Sequence, residues 1–137
     1  IPLNESKDNS SQIVEYLNEY RGEGIQHIAL YTNNIYDTVD ILKARQVPLQ
    51  DTIDTYYDLI NDRIDEHAED VEELRKRRIL IDGGKEDGVL LQIFTDTVIG
   101  PIFFEIIQRK GNNGFGEGNF KALFVSIELD QMRRGVI

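Results

Sequence analysis

The chain has 137 residues, enough for one domain with a respectable buried core. Twenty-five acidic against fifteen basic residues give a net charge of −10, which repels nucleic acid and anionic membrane surfaces. There is no cysteine, no apolar stretch long enough to span a bilayer and no secretory leader pattern, so a disulfide scaffold is excluded and a cytoplasmic domain without nucleic-acid or membrane partners is expected.

The first five residues are strand-like. Ile13, Tyr16, Leu17 and Tyr20 then recur at helical spacing behind Ser10 and Ser11, either of which suits an N-cap, so a short helix is predicted over Gln12 to Tyr20. Gly22 and Gly24 punctuate the way into an apolar strand, Gly24 to Leu30, that contains one amide and one imidazole. Three helical patterns follow, with Ile35, Val39 and Leu42 on the first face, Tyr57, Ile60 and Ile64 on the second, and Val71, Leu74 and Arg78 on the third. The charge run from Glu69 to Arg78 is expected to be a solvated face. Ile79 to Asp82 and Val89 to Thr95 read as strands joined by a glycine-rich hairpin turn from Gly83 to Gly88. After Pro101 comes the strand Ile102 to Gln108. A last helix is expected from about Asn119, with Phe120, Leu123, Phe124 and Ile127 on one side and Asn119 available as its cap.

Two of these strands carry a residue that does not belong in an apolar run. Glu105 interrupts Ile102 to Gln108, and an isolated ionised carboxylate there is costly unless something pairs with it. His27 interrupts the earlier strand in the same way. One histidine and one carboxylate on neighbouring strands are two thirds of the two-histidine, one-carboxylate set that holds non-haem ferrous iron with open positions for substrate and dioxygen. Taken singly, each has another reading: His27 as a hydrogen-bonded core histidine, Glu105 as a buried ion pair with Arg109 or another base. The other histidine, His67, lies in an acidic polar stretch and reads as a surface residue. Alternation places His27 with Ile25, Ala29 and Tyr31, Glu105 with Phe103, Ile107 and Arg109, and Gln92 with Leu90 and Phe94, while Gln26 points to the opposite side.

The loop Gly114-Phe115-Gly116-Glu117-Gly118 lies between a strand and a helix, but its spacing is wrong for a dinucleotide fingerprint and Glu117 would repel a phosphate. Three glycines in five residues suit a flexible turn.

Six segments occur in one order along the chain: residues 1–5, Ser11-Gln12-Ile13, Gly24 to Leu30, Leu90 to Thr95, Phe103 to Arg109, and Gly114 to Phe120. In that order they resemble the C-terminal part of the 4-hydroxyphenylpyruvate dioxygenase family, over essentially all 137 residues. The resemblance implies an α+β fold: the βαβββ module of the vicinal oxygen chelate superfamily, with a curled mixed sheet and added helices. Residues 1–22 are then the tail of a preceding module, a strand plus short helix, and residues 23–137 the catalytic module with its terminal helix.

The same resemblance implies that His27 and Glu105 are ligands of one Fe(II), and that the family's other histidine ligand lies on a strand N-terminal to everything present here. It matches Asn4, Gln12 and Gln92 to polar positions around the substrate, and Phe94, Phe103, Phe115, Asn119 and Phe120 to the wall and mouth of the pocket, over which the last helix closes. The implied reaction converts 4-hydroxyphenylpyruvate, a 2-oxo acid, and dioxygen to homogentisate and carbon dioxide. A homo-oligomer is expected. Two other readings stay open: 4-hydroxymandelate synthase, which shares substrate and ligands, and a folded, self-associating module with no activity of its own.

Overall fold

Ser11, rather than Ser10, starts the first helix. Its backbone is extended and its hydroxyl accepts from the Val14 N–H at 3.4 Å, capping α1 (Gln12–Tyr20). The computed structural model describes residues 1–7 and 9–135, and the side chains of residues 124, 126–128 and 130 lie outside that description. After α1 come β1 (His27–Tyr31) and α2 (Ile35–Ala44), the latter capped by Asn34 accepting from the Asp37 N–H. Two short helices, α3 (Asp54–Asp58) and α4 (Ile60–Arg63), precede α5 (Val71–Arg77), whose cap Asp70 accepts from the N–H groups of Glu72 and Glu73. Strands β2 (Leu80–Gly84), β3 (Gly88–Phe94) and β4 (Phe103–Lys110) lead to the final helix, α6 (Gly118–Arg133).

The four strands form one mixed sheet in the order β1-β4-β3-β2, open rather than closed into a barrel. The β2–β3 and β3–β4 pairs are antiparallel, and β1 pairs with β4 in parallel, which requires the long crossover through α2 to α5. Ile81, Leu91, Ile93 and Ile106 share one face and are buried against Ile35, Val39, Tyr57 and Leu74. Fully burying side chains of this kind contributes roughly 1.5 to 3 kcal/mol each. Gln108, on the same face, fastens α2 to the sheet by accepting from the Ile35 N–H at 3.0 Å. The opposite face of the sheet is left for α6 and a cleft.

Local geometry departs from simple periodicity at several points. Residues 1–6 form no strand, because a strand needs a ladder partner and none is provided there. The histidine strand begins at His27, three residues later than the apolar run suggests. The helix predicted through Tyr57, Ile60 and Ile64 breaks at Leu59, whose backbone (φ −97°, ψ −3°) turns α3 into α4. Arg78 is not on a helix face: it is the left-handed C-cap of α5 at φ 61°, and its guanidinium reaches Asp54 and Asp51. Among the described residues of α6 the buried positions are Asn119 and Ala122, three apart, whereas Phe120 is exposed. The expectation for Phe124 and Ile127 lies outside the described residues.

The charge run is only partly a solvated face: Asp70, Glu72 and Lys76 are exposed, but the arginines are not spent on solvent. The Arg77 side chain is only 13% exposed, pairs with Asp40 of α2 and Glu73 of α5, and lies over the Tyr36 ring, so it fastens α5 to α2. Asp58 of α3 does the same for two other helices, bonding Arg133 at the end of α6 at 2.6 Å and Arg75 at 2.9 Å. The Arg133 guanidinium first, then Arg75, holds the Asp58 carboxyl below its usual range. A carboxylate whose folded value is depressed stabilises fully above its unfolded value of about 4, and that stabilisation is lost as pH falls through the folded value. The stability difference between the protein and its Asp58→Asn variant, measured by urea unfolding, should therefore be present at pH 7 and close below about pH 4.

Candidate metal and substrate site

Strand register builds the site. His27 stands opposite Phe103 and Ala29 opposite Glu105 across the β1–β4 ladder, while Phe94 stands opposite Glu105 and Gln92 opposite Ile107 across β3–β4. All therefore project from the face turned away from α2. Leu80 and Asp82 of β2 continue the same row, opposite Gln92 and Leu90.

Glu105 is 6% exposed, and its partners are not the arginine that the sequence offers. Arg109, two residues along, donates to the carbonyls of Asn112 (3.0 Å) and Gly114 (2.7 Å) instead. One carboxylate oxygen of Glu105 accepts from Gln92 Nε2 at 3.0 Å, and the other lies 3.4 Å from His27 Nε2. The His27 ring is held flat against Phe103, with centroids 5.1 Å apart and planes at 15°, and meets the Phe94 ring edge-on.

The Gln26 amide oxygen lies 3.2 Å from His27 Nδ1. Gln26 thus reaches the cleft instead of the opposite side, because it precedes the first paired residue of β1 and strand alternation does not yet govern it. A carbonyl oxygen at Nδ1 places the imidazole proton there and turns the Nε2 lone pair toward the Glu105 carboxylate. With Nε2 unprotonated, two acceptors face each other at 3.4 Å, and a proton or a metal cation between them relieves the repulsion. Ligands bonded to one metal at about 2.0 to 2.2 Å in adjacent positions stand about 3 Å apart, so nitrogen and oxygen are spaced for a shared ion. An imidazole whose other N–H is hydrogen-bonded is also the usual state of a metal-bound histidine. A divalent iron fits this pair. Among the described residues no third histidine, cysteine, aspartate or glutamate joins it. His67 lies away from the cleft, where its ring bonds Asn61 (2.9 Å) and accepts from the Glu69 N–H (3.0 Å).

A chain of amides runs from Glu105 into the α6 end of the molecule. Gln92 Oε1 accepts from Asn119 Nδ2 at 2.9 Å, and Asn119 Oδ1 accepts from the Tyr56 hydroxyl at 2.6 Å. Asn119 therefore spends its side chain on this chain and caps nothing. The N-terminus of α6 is satisfied from β2, where Asp82 accepts from the Gly118 N–H at 2.9 Å. The glycines of this loop answer a close approach, beyond the needs of a turn. A Cβ on Gly116, at φ +76°, would stand 1.8 Å from Gln92 Oε1, and one on Gly118 would stand 2.3 Å from Asp82 Oδ1. Burial pushes the Tyr56 hydroxyl up to about 12, which keeps it a neutral donor across the physiological range.

The cleft in front of His27 and Glu105 has a volume of about 620 Å³. Phe94 and Phe103 form its wall beside the histidine, and Phe115 and Phe120, both largely exposed, stand at its mouth on the α6 side. Asn4 and Gln12 line it from the N-terminal segment and the first turn of α1, and Asn119 and Gln92 from the opposite side. Every residue singled out from the sequence for the site thus borders one cleft. Sequence reasoning missed Arg63, Tyr56 and Asp82, whose only signals were an arginine in a polar stretch, a tyrosine beside the core position Tyr57 and an aspartate closing a predicted strand, and it placed Gln26 on the wrong side.

An open mixed sheet in this order, with a histidine and a carboxylate converging from its two parallel strands, defines a module of the vicinal oxygen chelate class. No family model matches the chain. It is 65% identical over its full length to hemolysin VllY of Vibrio vulnificus and 64% identical to 4-hydroxyphenylpyruvate dioxygenase of Pseudomonas aeruginosa, spanning 39% of the length of each. A triple mutant of 4-hydroxymandelate synthase from Streptomyces coelicolor superposes with a TM-score of 0.72 at 38% identity, over 89% of this chain and 35% of that one. Across all its residues the chain is similar to 4-hydroxyphenylpyruvate dioxygenases, and it spans about two fifths of the length of these curated relatives.

Proposed function

We propose that this chain supplies the His27 and Glu105 ligands of a non-haem Fe(II) site that converts 4-hydroxyphenylpyruvate and dioxygen to homogentisate and carbon dioxide. The observation that carries this reading is the 3.4 Å approach of His27 Nε2 to the Glu105 carboxylate at the back of an aromatic cleft. A histidine on a strand N-terminal to these 137 residues, as the resemblance implies, completes the ligand set. We assign residues 1–22 to the tail of a preceding module and 23–137 to the catalytic module, in a cytoplasmic homo-oligomer. No helix among the described residues is long and apolar enough to cross a membrane.

Each residue then has a physical task. Iron, when bound, supplies Lewis acidity and the electrons that dioxygen chemistry requires. His27 and Glu105 hold it, with Gln26 fixing the tautomer of one and Gln92 the orientation of the other. Phe94 and Phe103 exclude water and present faces on which a phenol ring can stack. Asn4 and Gln12 offer uncommitted amides to the phenol hydroxyl. Gln92 has one N–H beyond its bond to Glu105 and one oxygen lone pair beyond its bond from Asn119, and the N–H is the group it can offer as a donor to the substrate.

The likeness in fold to 4-hydroxymandelate synthase favours a second reading, in which the same substrate is oxidised at its benzylic carbon. Product analysis of the intact iron-loaded protein decides. Homogentisate is expected. 4-Hydroxymandelate would support the second reading, and neither product from a protein with bound iron would overturn both.

A further inference from the structure

We propose that Arg63 and Tyr56 are positioning residues for Glu105: from α4 and α3 they fix the sense of a hydrogen-bond relay whose last step presents the Gln92 N–H to the carboxylate. The inference rests on the ligand role of Glu105 proposed above.

A carboxamide looks nearly symmetric, so a chain of two can run in either direction. In one direction Gln92 offers Glu105 a donor, and in the other it offers a carbonyl oxygen, which the carboxylate repels. The observed sense is set at the opposite end. Arg63 has donors only. Its Nη2 lies 2.8 Å from the Ile81 carbonyl, 3.0 Å from the Tyr56 hydroxyl oxygen and 3.4 Å from Asn119 Oδ1.

The Tyr56 hydroxyl has one hydrogen and two acceptors within reach, the Ile81 carbonyl at 3.0 Å and Asn119 Oδ1 at 2.6 Å. Arg63 fills one of the two lone pairs of the Ile81 carbonyl and draws on its charge, the Ile81 N–H and Arg63 both donate to the phenol oxygen, and the shorter contact of the hydroxyl is the 2.6 Å one to Asn119. The tyrosine hydrogen is thereby turned to Asn119. With the Tyr56 hydroxyl donating, and the Arg63 guanidinium beside it able to face only an acceptor, the Asn119 atom that faces them must be oxygen, its Nδ2 must face Gln92, and Gln92 Nε2 must face Glu105. Donors lie at one end and a carboxylate at the other, and every step between them runs one way.

Arg63 is itself held for the task. Its guanidinium lies over the Tyr56 ring at 5.4 Å and its Nη1 is 3.5 Å from Asp82, the residue that receives the first N–H of α6. Placement of the last helix and orientation of a metal ligand are thus governed by one cluster of side chains. Without Arg63, the tyrosine hydrogen can turn to Ile81 and both amides can reverse.

The test uses the intact protein with side-chain amide nitrogens of Asn and Gln labelled, first without metal. In NMR spectra the Gln92 amide should show one strongly shifted, solvent-protected proton, the mark of a bond to a carboxylate. That signature should be lost in Arg63→Met and restored in Arg63→Lys, which returns a donor. Asn119→Asp gives the same test without removing Arg63: its carboxylate keeps both donors satisfied but cannot donate to Gln92, so the signature should be lost there too. Iron affinity should fall about 10- to 100-fold in Arg63→Met and Asn119→Asp, the usual cost of losing a partner behind a ligand. An unchanged Gln92 signature in folded Arg63→Met or Asn119→Asp overturns the proposal, as does a changed signature with undiminished iron affinity. A wild-type protein that shows the relay but binds no iron would instead overturn the assignment of Glu105 as a ligand.

Discussion

Replacing Glu105 by glutamine should abolish iron binding by the intact protein and leave its fold in place, or make it slightly more stable without metal. Loss of a residue behind a ligand costs about 10- to 100-fold in affinity, so loss of a ligand itself should exceed that range. The stability argument runs the other way. In the metal-free protein the Glu105 carboxylate lies 3.4 Å from His27 Nε2, and with the imidazole proton on Nδ1 both are acceptors. A glutamine can accept from Gln92 with its oxygen and donate to His27 with its nitrogen, so both contacts become hydrogen bonds. Were the pair instead a structural ion pair, removing the charge would strand a buried partner and cost about 3 to 5 kcal/mol. Titration with Fe(II) and urea unfolding of the metal-free variant measure the two quantities, and a large loss of stability with retained iron binding would remove the metal reading.

The second large effect is expected at a glycine. Gly116→Ala sets a methyl group where the Gln92 amide oxygen now sits, 1.8 Å away, on a backbone at φ +76°. An alanine in a left-handed conformation costs about 1 kcal/mol, and overpacking a filled site adds about 1 to 3 kcal/mol. Gly100 provides the comparison, since it also has a positive φ, +54°, but nothing within 4 Å of an added Cβ. Gly100→Ala should cost only the backbone strain. The difference between the two variants in urea unfolding reports the collision with Gln92, and it should appear together with weakened iron binding, because the displaced amide is the one that bonds Glu105. Equal costs at the two positions would mean that the loop can draw back from Gln92.

The sequence announces the site more clearly than it announces what holds the site together. His27 and Glu105 are conspicuous because each is a polar group inside an apolar strand, where burial makes polarity expensive, and the faces assigned to them by alternation are those observed. The first helix could also be delimited, because Ile13, Tyr16, Leu17 and Tyr20 keep a helical period and the span predicted from them, Gln12 to Tyr20, is the one observed. Arg63, Tyr56 and Asp82 could not be read as site residues. Nothing about an arginine in a polar stretch or an aspartate closing a strand marks it as half-buried, and a tyrosine beside a core position reads as packing. Gln26 was misplaced because the period of two begins only where the ladder begins. The glycines of the last loop showed that the backbone is unusual there, but which side chains they make room for depends on the docking of α6 against β2 and β3.

The parallel pairing of β1 with β4 dictates an order of assembly. Strands β2, β3 and β4 follow one another and can zip as two hairpins, closing only short loops, whereas β1 reaches β4 only after the intervening helices have been gathered in. Pairings between distant stretches of chain form late, because the entropy of closing the loop must be met before any contact rewards it. His27 therefore arrives last at a sheet edge where Glu105 already stands. An early collapsed state of this chain holds a carboxylate without its imidazole and has little grip on any ion, so metal can act as a seal on the completed topology but is a poor nucleus for reaching it.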